Sequence, residues 1–453
     1  MLIYFSIYFF YSQNLIKPVL LFNNMLDFEK RILIEEVFKK KEKHVEVAGW
    51  VKNIRVLGKI KFLVVRDSSA EIQITASEKK VDVGVFETID KISRESVVYV
   101  KGEVKESKQA PGGKEIVPKE IIILNNAEDL PIDISELSKT ELPKRLDFRF
   151  LDFHRKRTQT IFKIQNEIAN SFREFFYKKG FLEMQPPCVI SAASEGGTEL
   201  FPVMYFEKKA YLAQSPQLYK QMIACSMEKT FMITPVWRAE KHNTPRHINE
   251  IRQMDIEVAF KNQMEIMKEL EEVVKYIVKR VLENCKQELK LLDIKGLKIP
   301  KGVYLSYEEA IKKVGGKVGE DFTPEEERKL CAMYKGDIVF THSWPSSIKP
   351  FYIMPKDEKA NAKYSEGFDA LYLGVEISSG GQRIHLPELL IERLKAKGLN
   401  PKNFKDYIDS FRYGAPPHAG WSIGLERLTQ QICGLDNVKE ATMFPRDRDR
   451  LTP

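Results

Sequence analysis

Several familiar chemistries are missing from this 453-residue chain. Its five cysteines, Cys188, Cys225, Cys285, Cys331 and Cys433, are odd in number, far apart and include no CxxC pair. That argues against a disulfide framework and a structural zinc site, and it suits a reducing cytoplasm. No HExxH helix is present to hold a catalytic zinc. No GxxxxGK[ST] loop and no strand–GxGxxG–helix unit occurs. Gly196–Gly197, Gly315–Gly316 and Gly380–Gly381 are pairs without that setting, so the common phosphate loops are absent. The GxSxG elbow of serine hydrolases is missing too. There is no internal repeat and no low-complexity segment.

What remains is ordinary in bulk. Hydrophobic residues make up 43% and charged residues 30%, as in soluble globular proteins. The length allows more than one domain. A formal charge of +8 favours a polyanionic partner without identifying it. The first residues, MLIYFSIYFFYSQNLIKPVLLF, are apolar and aromatic. They lack the basic start and small-residue cleavage site of a signal peptide. Lys17 interrupts the run, so no membrane span and no membrane partner is expected. Residues 1–25 read as an extension outside the working fold, with Met25 a sensible start. The alternative is a helix or strand that packs on the first domain.

Residues 26–125 contain VEVAGWVKNIRVL, KIKFLVVRD, AEIQITA, SVVYVKGEVKES and KEIIILN. These are Val/Ile-rich strands separated by Gly, Asp and Ser turns. Five of them suit a five-stranded β-barrel of the OB type. Residues 126–157 read as a hinge. Residues 158–453 form an α+β body, with helical periodicity at 263–290, 386–397 and 421–433. Strand-like runs lie at 209–213, 230–237, 250–260, 337–342 and 368–377.

The chemistry gathers in that body. The segment PVWRAEKHNTPRHINE is a charged loop between two strands, a hairpin. Alternation puts Arg238 and Glu240 on one face, and Gln253, Asp255 and Glu257 on one face of the returning strand. FDALYLGVEISSGGQRIH delivers Glu376, two serines and Arg383. GAPPHAGWSIGLERLTQQICG runs from a turn through a strand into a helix, with Arg427 in its first turns. Any one of these could be a surface ion pair. Together they suit a triphosphate on an antiparallel sheet, because arginines offer planar donor forks and carboxylates can hold magnesium.

These segments resemble the motifs of class II aminoacyl-tRNA synthetases, and specifically the archaeal-type aspartyl-tRNA synthetases of class IIb. GFLEMQPP, with Pro187, resembles motif 1. TPVWRAEKHNTPRHINEIRQMDIE resembles motif 2, and GWSIGLERL motif 3. SEGGTELFPV, AQSPQLYKQ, GVEISSGGQRIH and FPRDRDRLTP stand around them, and the likeness spans about residues 44–453. It implies an OB-fold anticodon-binding domain and a catalytic domain built on an antiparallel β-sheet flanked by helices. It also implies a homodimer using ATP and Mg²⁺.

Residue by residue, the resemblance implies that Arg238 bridges the α-phosphate and the aspartate carboxylate. Arg238 and Arg427 are then the catalytic pair. Glu240 lies on the adenine side, and Arg246, His247 and Ile248 grip ATP. Gly424, Leu425, Glu426 and Arg427 form the motif 3 ATP segment. Glu376 and Ser379 hold magnesium, and Glu376 also faces ATP. Glu195, Gln217, Lys220, Arg238, Asp255, Ser379 and Arg383 bind aspartate. Strict alternation pairs Glu376 with Ser378 instead, so the strand must bend or bulge before Gly380 if Ser379 has that role. The implied reaction is attack of the aspartate α-carboxylate on the ATP α-phosphorus, then transfer of the aspartyl group to the 3′-terminal ribose of tRNA. No side chain stands out as a base for the transfer.

Lys220 and Arg383 favour a side-chain carboxylate. The asparaginyl pattern lacks that lysine, because an amide would leave a buried ammonium unpaired. In the barrel, Phe62, Gln73 and Arg55 match anticodon-binding positions. Phe62 could equally be a core residue. Enzymes that discriminate between tRNA-Asp and tRNA-Asn carry a tryptophan and a lysine where this chain has Lys52 and Pro111. Aspartylation of both tRNAs is therefore expected, with an amidotransferase acting on Asp-tRNA-Asn. The alternatives are an enzyme specific for tRNA-Asp, an asparaginyl enzyme, or a non-catalytic RNA-binding relative.

Overall fold

The computed structural model describes residues 26–191 and 200–453. Residues 1–25, read above as an extension, and Glu195 lie outside the described residues. The chain forms two compact units, one ending at Pro131 and the other starting at Ile132. This boundary falls inside the 126–157 segment. Beyond it, Arg149 is 1% exposed and donates to the carbonyls of Glu440, Thr442 and Met443.

The smaller unit holds β1 (His44–Leu57), β2 (Ile60–Arg66), β3 (Glu71–Ser77), β4 (Val97–Glu106) and β5 (Lys114–Asn125). Alternation works as the sequence suggests: Val45, Val47, Leu63, Val65, Ile72 and Ile74 point into one apolar core. Gly49 is required, since a Cβ there would meet the Arg66 carbonyl oxygen at 2.1 Å. Pairing runs β1-β2-β3-β5-β4 and returns to β1. The β3–β5 seam consists of two parallel pairs, Gln73 with Glu115 and Ile74 with Ile116.

The larger unit contributes β6 (Leu182–Glu183), β7 (Val189–Ile190), β8 (Pro202–Tyr205), β9 (Lys208–Leu212), β10 (Lys229–Trp237), β11 (Glu250–Ala259), β12 (Gly302–Ser306), β13 (Ile338–His342), β14 (Gly367–Tyr372), β15 (Val375–Gln382) and β16 (His418–Gly424). Its principal helices are α1 (Lys156–Lys178), α2 (Gln217–Met227), α3 (Gln263–Asn284), α4 (Pro324–Met333) and α5 (Leu425–Ile432). Eight strands form one open sheet, β12-β13-β14-β15-β16-β11-β10-β6. A small sheet, β7-β9-β8, stands apart from it.

The expected fold class needs correction in both sheets. The catalytic sheet is mixed rather than antiparallel, since β12–β13 and β10–β6 are parallel at its two ends. The N-terminal unit is an OB-like curved sheet joined at a two-pair seam, not an evenly closed barrel. A crossover makes β5 reach β3 in the parallel sense, which hairpin-style reading of the strands does not foresee. The run 368–377 also divides into two strands. Leu373 and Gly374 take positive φ (51° and 99°) and turn β14 back into β15.

One face of the open sheet is covered. The apolar stripes of α1 and α3, including Ile164, Phe172, Leu270 and Ile277, pack on Met254, Ile256, Ile377 and Trp421. The α3 start is fixed by a capping box between Asn262 and Glu265. Because β11 alternates, Met254, Ile256 and Val258 enter that core, and Gln253, Asp255 and Glu257 must face the other way.

Candidate active site

The uncovered face carries a polar row. Asp255 on β11 pairs with Ser422 on β16, Ser422 with Ser379 on β15, and Ser379 with Asp369 on β14. The neighbouring row runs Glu257, Gly420, Gly381 and Gly367. Glycine is needed at its centre, because a Cβ on Gly420 would meet Glu257 Oε2 at 2.2 Å.

Between Leu371 opposite Glu376 and Ala370 opposite Ser378, β15 holds one extra residue, Ile377. This bulge brings Glu376 and Ser379 onto the same wall and leaves Ile377 in the core. The sequence requirement for a bend before Gly380 is thereby met.

Two adjoining cavities open on this face. The inner one is lined by Gln217, Lys220, Asp255, Lys349, Tyr352 and Arg383, among others. The outer one is lined by Glu240, Arg246, His247, Ile248, Gly424, Glu426 and Arg427, among others. Arg238, Gln253, Glu376, Ser379 and Ser422 line both. Leu425 lines neither and is buried at the start of α5. Arg238 and Glu240 fall just beyond the end of β10, so the loop, not strand alternation, brings them to the cleft. Asn249 pins that loop by donating through Nδ2 to the carbonyls of Arg238 (2.6 Å) and Glu240 (2.9 Å).

The inner cavity is built on buried charge. Lys220 Nζ, on α2, lies 2.9 Å from Asp255 and 3.5 Å from Glu257. Arg383 forks onto Glu257, with Nε at 2.9 Å and Nη2 at 3.3 Å. Burial works to raise the Glu257 pKa, but Arg383 and Lys220 outweigh it and hold the carboxyl below its ordinary range. Lys349 is neutralised by Asp369 at 2.5–2.6 Å. Two acceptors, Asp255 Oδ1 and Gln253 Oε1, are buried without a hydrogen-bond partner. An unpaired buried acceptor costs free energy, and an arriving ammonium group would satisfy both.

The outer cavity presents donors. Arg427 Nη1 donates to the Glu376 carbonyl at 2.9 Å, which holds its guanidinium over β15. Arg238 and His247 each stand 3.9 Å from Glu240. Burial lowers the His247 pKa, so its ring is largely neutral at pH 7. The Glu426 carboxylate accepts the Arg252 backbone N–H and is turned into the fold. Burial, and then Asp369, push the Glu376 carboxyl up to about 7.

That crowding fits a magnesium ion. Glu376 and Ser379 are hard oxygen donors on one wall, and a cation would relieve the excess negative potential there. Among the described residues no cluster of three or more His, Cys, Asp or Glu side chains could hold a metal alone. Magnesium needs only one or two carboxylates when substrate phosphates complete its shell.

On the smaller unit, Arg55 pairs with Phe62 and Phe62 with Thr75 across β1–β3. Gln73 Nε2 donates to Thr75 Oγ1 and to Glu115, both at 3.1 Å. Phe62 is only half-buried and is not among the residues of the apolar core. Lys52 forms an ion pair with Glu71 at 2.8 Å, and Pro111 is exposed at a turn.

Sequence reasoning put Glu257 on the Asp255 face without giving it a role of its own, and it passed over Lys349 and Asp369. Glu257 shares its period-two face with Asp255 and was findable. Lys349 lies in a loop with no motif, and only the tertiary fold brings it to Asp369.

Comparison with known proteins follows the same division. Residues 141–448 match the family of tRNA synthetases class II (D, K and N), and residues 45–124 match the OB-fold nucleic acid binding domain. The aspartate–tRNA(Asp/Asn) ligase of Archaeoglobus fulgidus is 44% identical over 418 residues, covering 90% of this chain and 96% of that protein. The aspartate–tRNA(Asp) ligase of Pyrococcus furiosus is 45% identical, covering 91% and 96%. The crystal structure of asparaginyl-tRNA synthetase from Pyrococcus horikoshii complexed with asparaginyl-adenylate superposes with a TM-score of 0.88 at 33% identity, covering 93% of this chain and 99% of that one. With its motifs on one open sheet and its cations at two adjoining cavities, the chain belongs to the class II aminoacyl-tRNA ligases of the aspartate, lysine and asparagine group.

Proposed function

We infer that this enzyme attaches L-aspartate to tRNA through an aspartyl-adenylate, with ATP as the energy source. The carrying observation is the charge of the inner cavity. Arg238, Lys220 and Arg383 supply three cations against the carboxylates of Asp255 and Glu257, with Glu376 on the shared wall left to magnesium. Lys349 and Asp369 cancel. Aspartate, with one ammonium and two carboxylates, carries the missing negative charge. Asparagine is neutral and would leave a buried cation uncompensated, which is costly.

In the reaction, Arg238 spans the two cavities and holds the aspartate α-carboxylate in line with the α-phosphorus. The carboxylate oxygen attacks phosphorus, and pyrophosphate leaves. Arg238 and Arg427 stabilise the charge that develops on the phosphoryl oxygens, so no protein nucleophile is needed. Magnesium, held by Glu376 and Ser379, supplies further neutralisation of the phosphates when bound. The terminal ribose hydroxyl of tRNA then attacks the adenylate carbonyl carbon, and AMP leaves. Gln217 and Asp255 receive the substrate ammonium group.

Arg55, Phe62 and Gln73 form an anticodon platform, on which a base stacks against the exposed part of the Phe62 ring. Both tRNA-Asp and tRNA-Asn are substrates in this reading. Pro111 has no amide donor or polar side chain with which to read the third anticodon base. Lys52 is engaged with Glu71. The enzyme works as a cytoplasmic homodimer through the GFLEMQPP segment, and an amidotransferase converts Asp-tRNA-Asn. A second reading, charging of tRNA-Asp alone, is favoured by the likeness to the aspartate–tRNA(Asp) ligase of Pyrococcus furiosus.

Pyrophosphate exchange with each of the twenty amino acids tests the amino acid. Exchange with asparagine or lysine, and none with aspartate, overturns the assignment. Aspartylation of purified tRNA-Asp and tRNA-Asn transcripts tests the nucleic acid. Comparable kcat/KM values support dual charging, and a preference for tRNA-Asp above about 100-fold, about 2.7 kcal/mol, overturns it. Sedimentation at assay concentration decides the dimer.

A further inference from the structure

Glu327 belongs to none of the three motifs, yet it reaches the motif 2 loop. Its Oε2 lies 2.9 Å from Arg246 Nη1, with side chains only 13% and 26% exposed. Arg246 lines the outer cavity and Glu327 does not, so the carboxylate stands behind the guanidinium rather than in the substrate's place.

The carrier of Glu327 is firmly seated. Thr323 and Glu326 form a capping box at the start of α4. Lys329 Nζ donates to the Val314 carbonyl at 2.6 Å. Leu330 and Cys331 are buried in a cluster with Val339, Trp344 and Leu371. Arg246, in contrast, projects from a loop. A long side chain on a loop has many rotamers to lose when it meets a ligand. One nitrogen fixed on a rigid helix removes most of that freedom in advance and leaves the remaining N–H donors for the cavity.

We propose that Glu327 is a positioning residue that holds Arg246 ready for the phosphates of ATP. The proposal rests on the outer cavity being the ATP site. Its direct partner is Arg246, with Arg427 and Glu376 only in longer-range electrostatic contact, so most of its contribution must vanish when Arg246 is gone.

The test is a double-mutant cycle on the full-length enzyme: Glu327→Gln, Arg246→Ala and the pair, with Glu327→Asp as the conservative variant. ATP affinity is read by calorimetry without amino acid, and KM values are read by pyrophosphate exchange with aspartate. Glu327→Gln weakens ATP binding about five- to tenfold, with the KM for aspartate and the melting temperature unchanged. Glu327→Asp recovers part of the loss. The double variant binds ATP no worse than Arg246→Ala. Losses that multiply in the double variant, or ATP affinity within twofold of the parent in Glu327→Gln, overturn the proposal. Absence of any ATP binding by the parent protein overturns the ATP reading of the cavity and this proposal with it. ATP binding without aspartate-dependent exchange overturns only the amino acid assignment, and the calorimetric cycle still decides the role of Glu327.

Discussion

Lys220 Nζ engages one oxygen of Asp255, Oδ2 at 2.9 Å, while the other oxygen, Oδ1, is buried with no partner. The carboxylate is thus half committed to the protein and half open to the inner cavity. Removing the lysine leaves Asp255 and Glu257 facing each other with Arg383 alone. Lys220→Met should destabilise the fold by about 3–5 kcal/mol, the usual cost of stranding a buried charge, and abolish aspartate activation. Urea denaturation together with exchange kinetics checks both parts.

Arg238→Ala and Arg427→Ala should each slow adenylate formation about 10²–10³-fold, because each removes donors from developing phosphoryl charge. The Arg238 side chain is 34% exposed, so its loss should leave the fold intact. Circular dichroism separates folding from chemistry, and near-normal exchange in either variant refutes the role.

Glu376→Gln should weaken the dependence of exchange on Mg²⁺. The carboxyl of the parent protein is held up to about 7 by burial and Asp369, so in the proposed metal role a proton would compete with magnesium below that pH. A magnesium titration at pH 6 and pH 8 should show a shift in the parent enzyme that the variant lacks.

Glu426 offers a stability test in the ligand-free protein. Burial raises its pKa to about 7, while an unfolded glutamate ionises near about 4.3. Between those values the unfolded chain has released the proton and the folded chain keeps it, so stability falls as pH rises through the window and levels above it. Glu426→Gln removes this contribution. Its stability relative to the parent should rise by about 3 kcal/mol between pH 4 and pH 7.5, read from urea midpoints.

Gly420→Ala should cost about 1–3 kcal/mol from overpacking. The new Cβ would meet Glu257 Oε2 at 2.2 Å and the Ile256 carbonyl oxygen at 2.4 Å. Displacing Glu257 also frees Arg383, so the KM for aspartate should rise more than that for ATP.

The face of β11 was readable from sequence because alternation is strict there: Gln253, Asp255 and Glu257 face away from Met254 and Ile256. The Glu376–Ser379 relationship was not readable by alternation, since the bulge at Ile377 breaks the period; the family likeness supplied it. The turn at Leu373–Gly374 was hidden inside the apolar stretch LYLGV, and a leucine with positive φ is an uncommon turn residue. Parallel pairing at β6 and β12 was hidden too, because short edge strands give no local sign of direction. Lys349 needed the whole fold, as its partner Asp369 is reached through a loop without periodicity.

The polar row from Asp255 through Ser422 and Ser379 to Asp369 draws each member from a different strand. Its first two neighbours are far apart along the chain. Such a row has a high contact order, so it forms late and only when distant segments have met. A fragment that ends before β16 can hold only the Ser379–Asp369 hairpin half of it. During synthesis the chain therefore remains without adenylating ability until β16, close to the C-terminus, has entered the sheet, and truncated products are silent rather than weakly active.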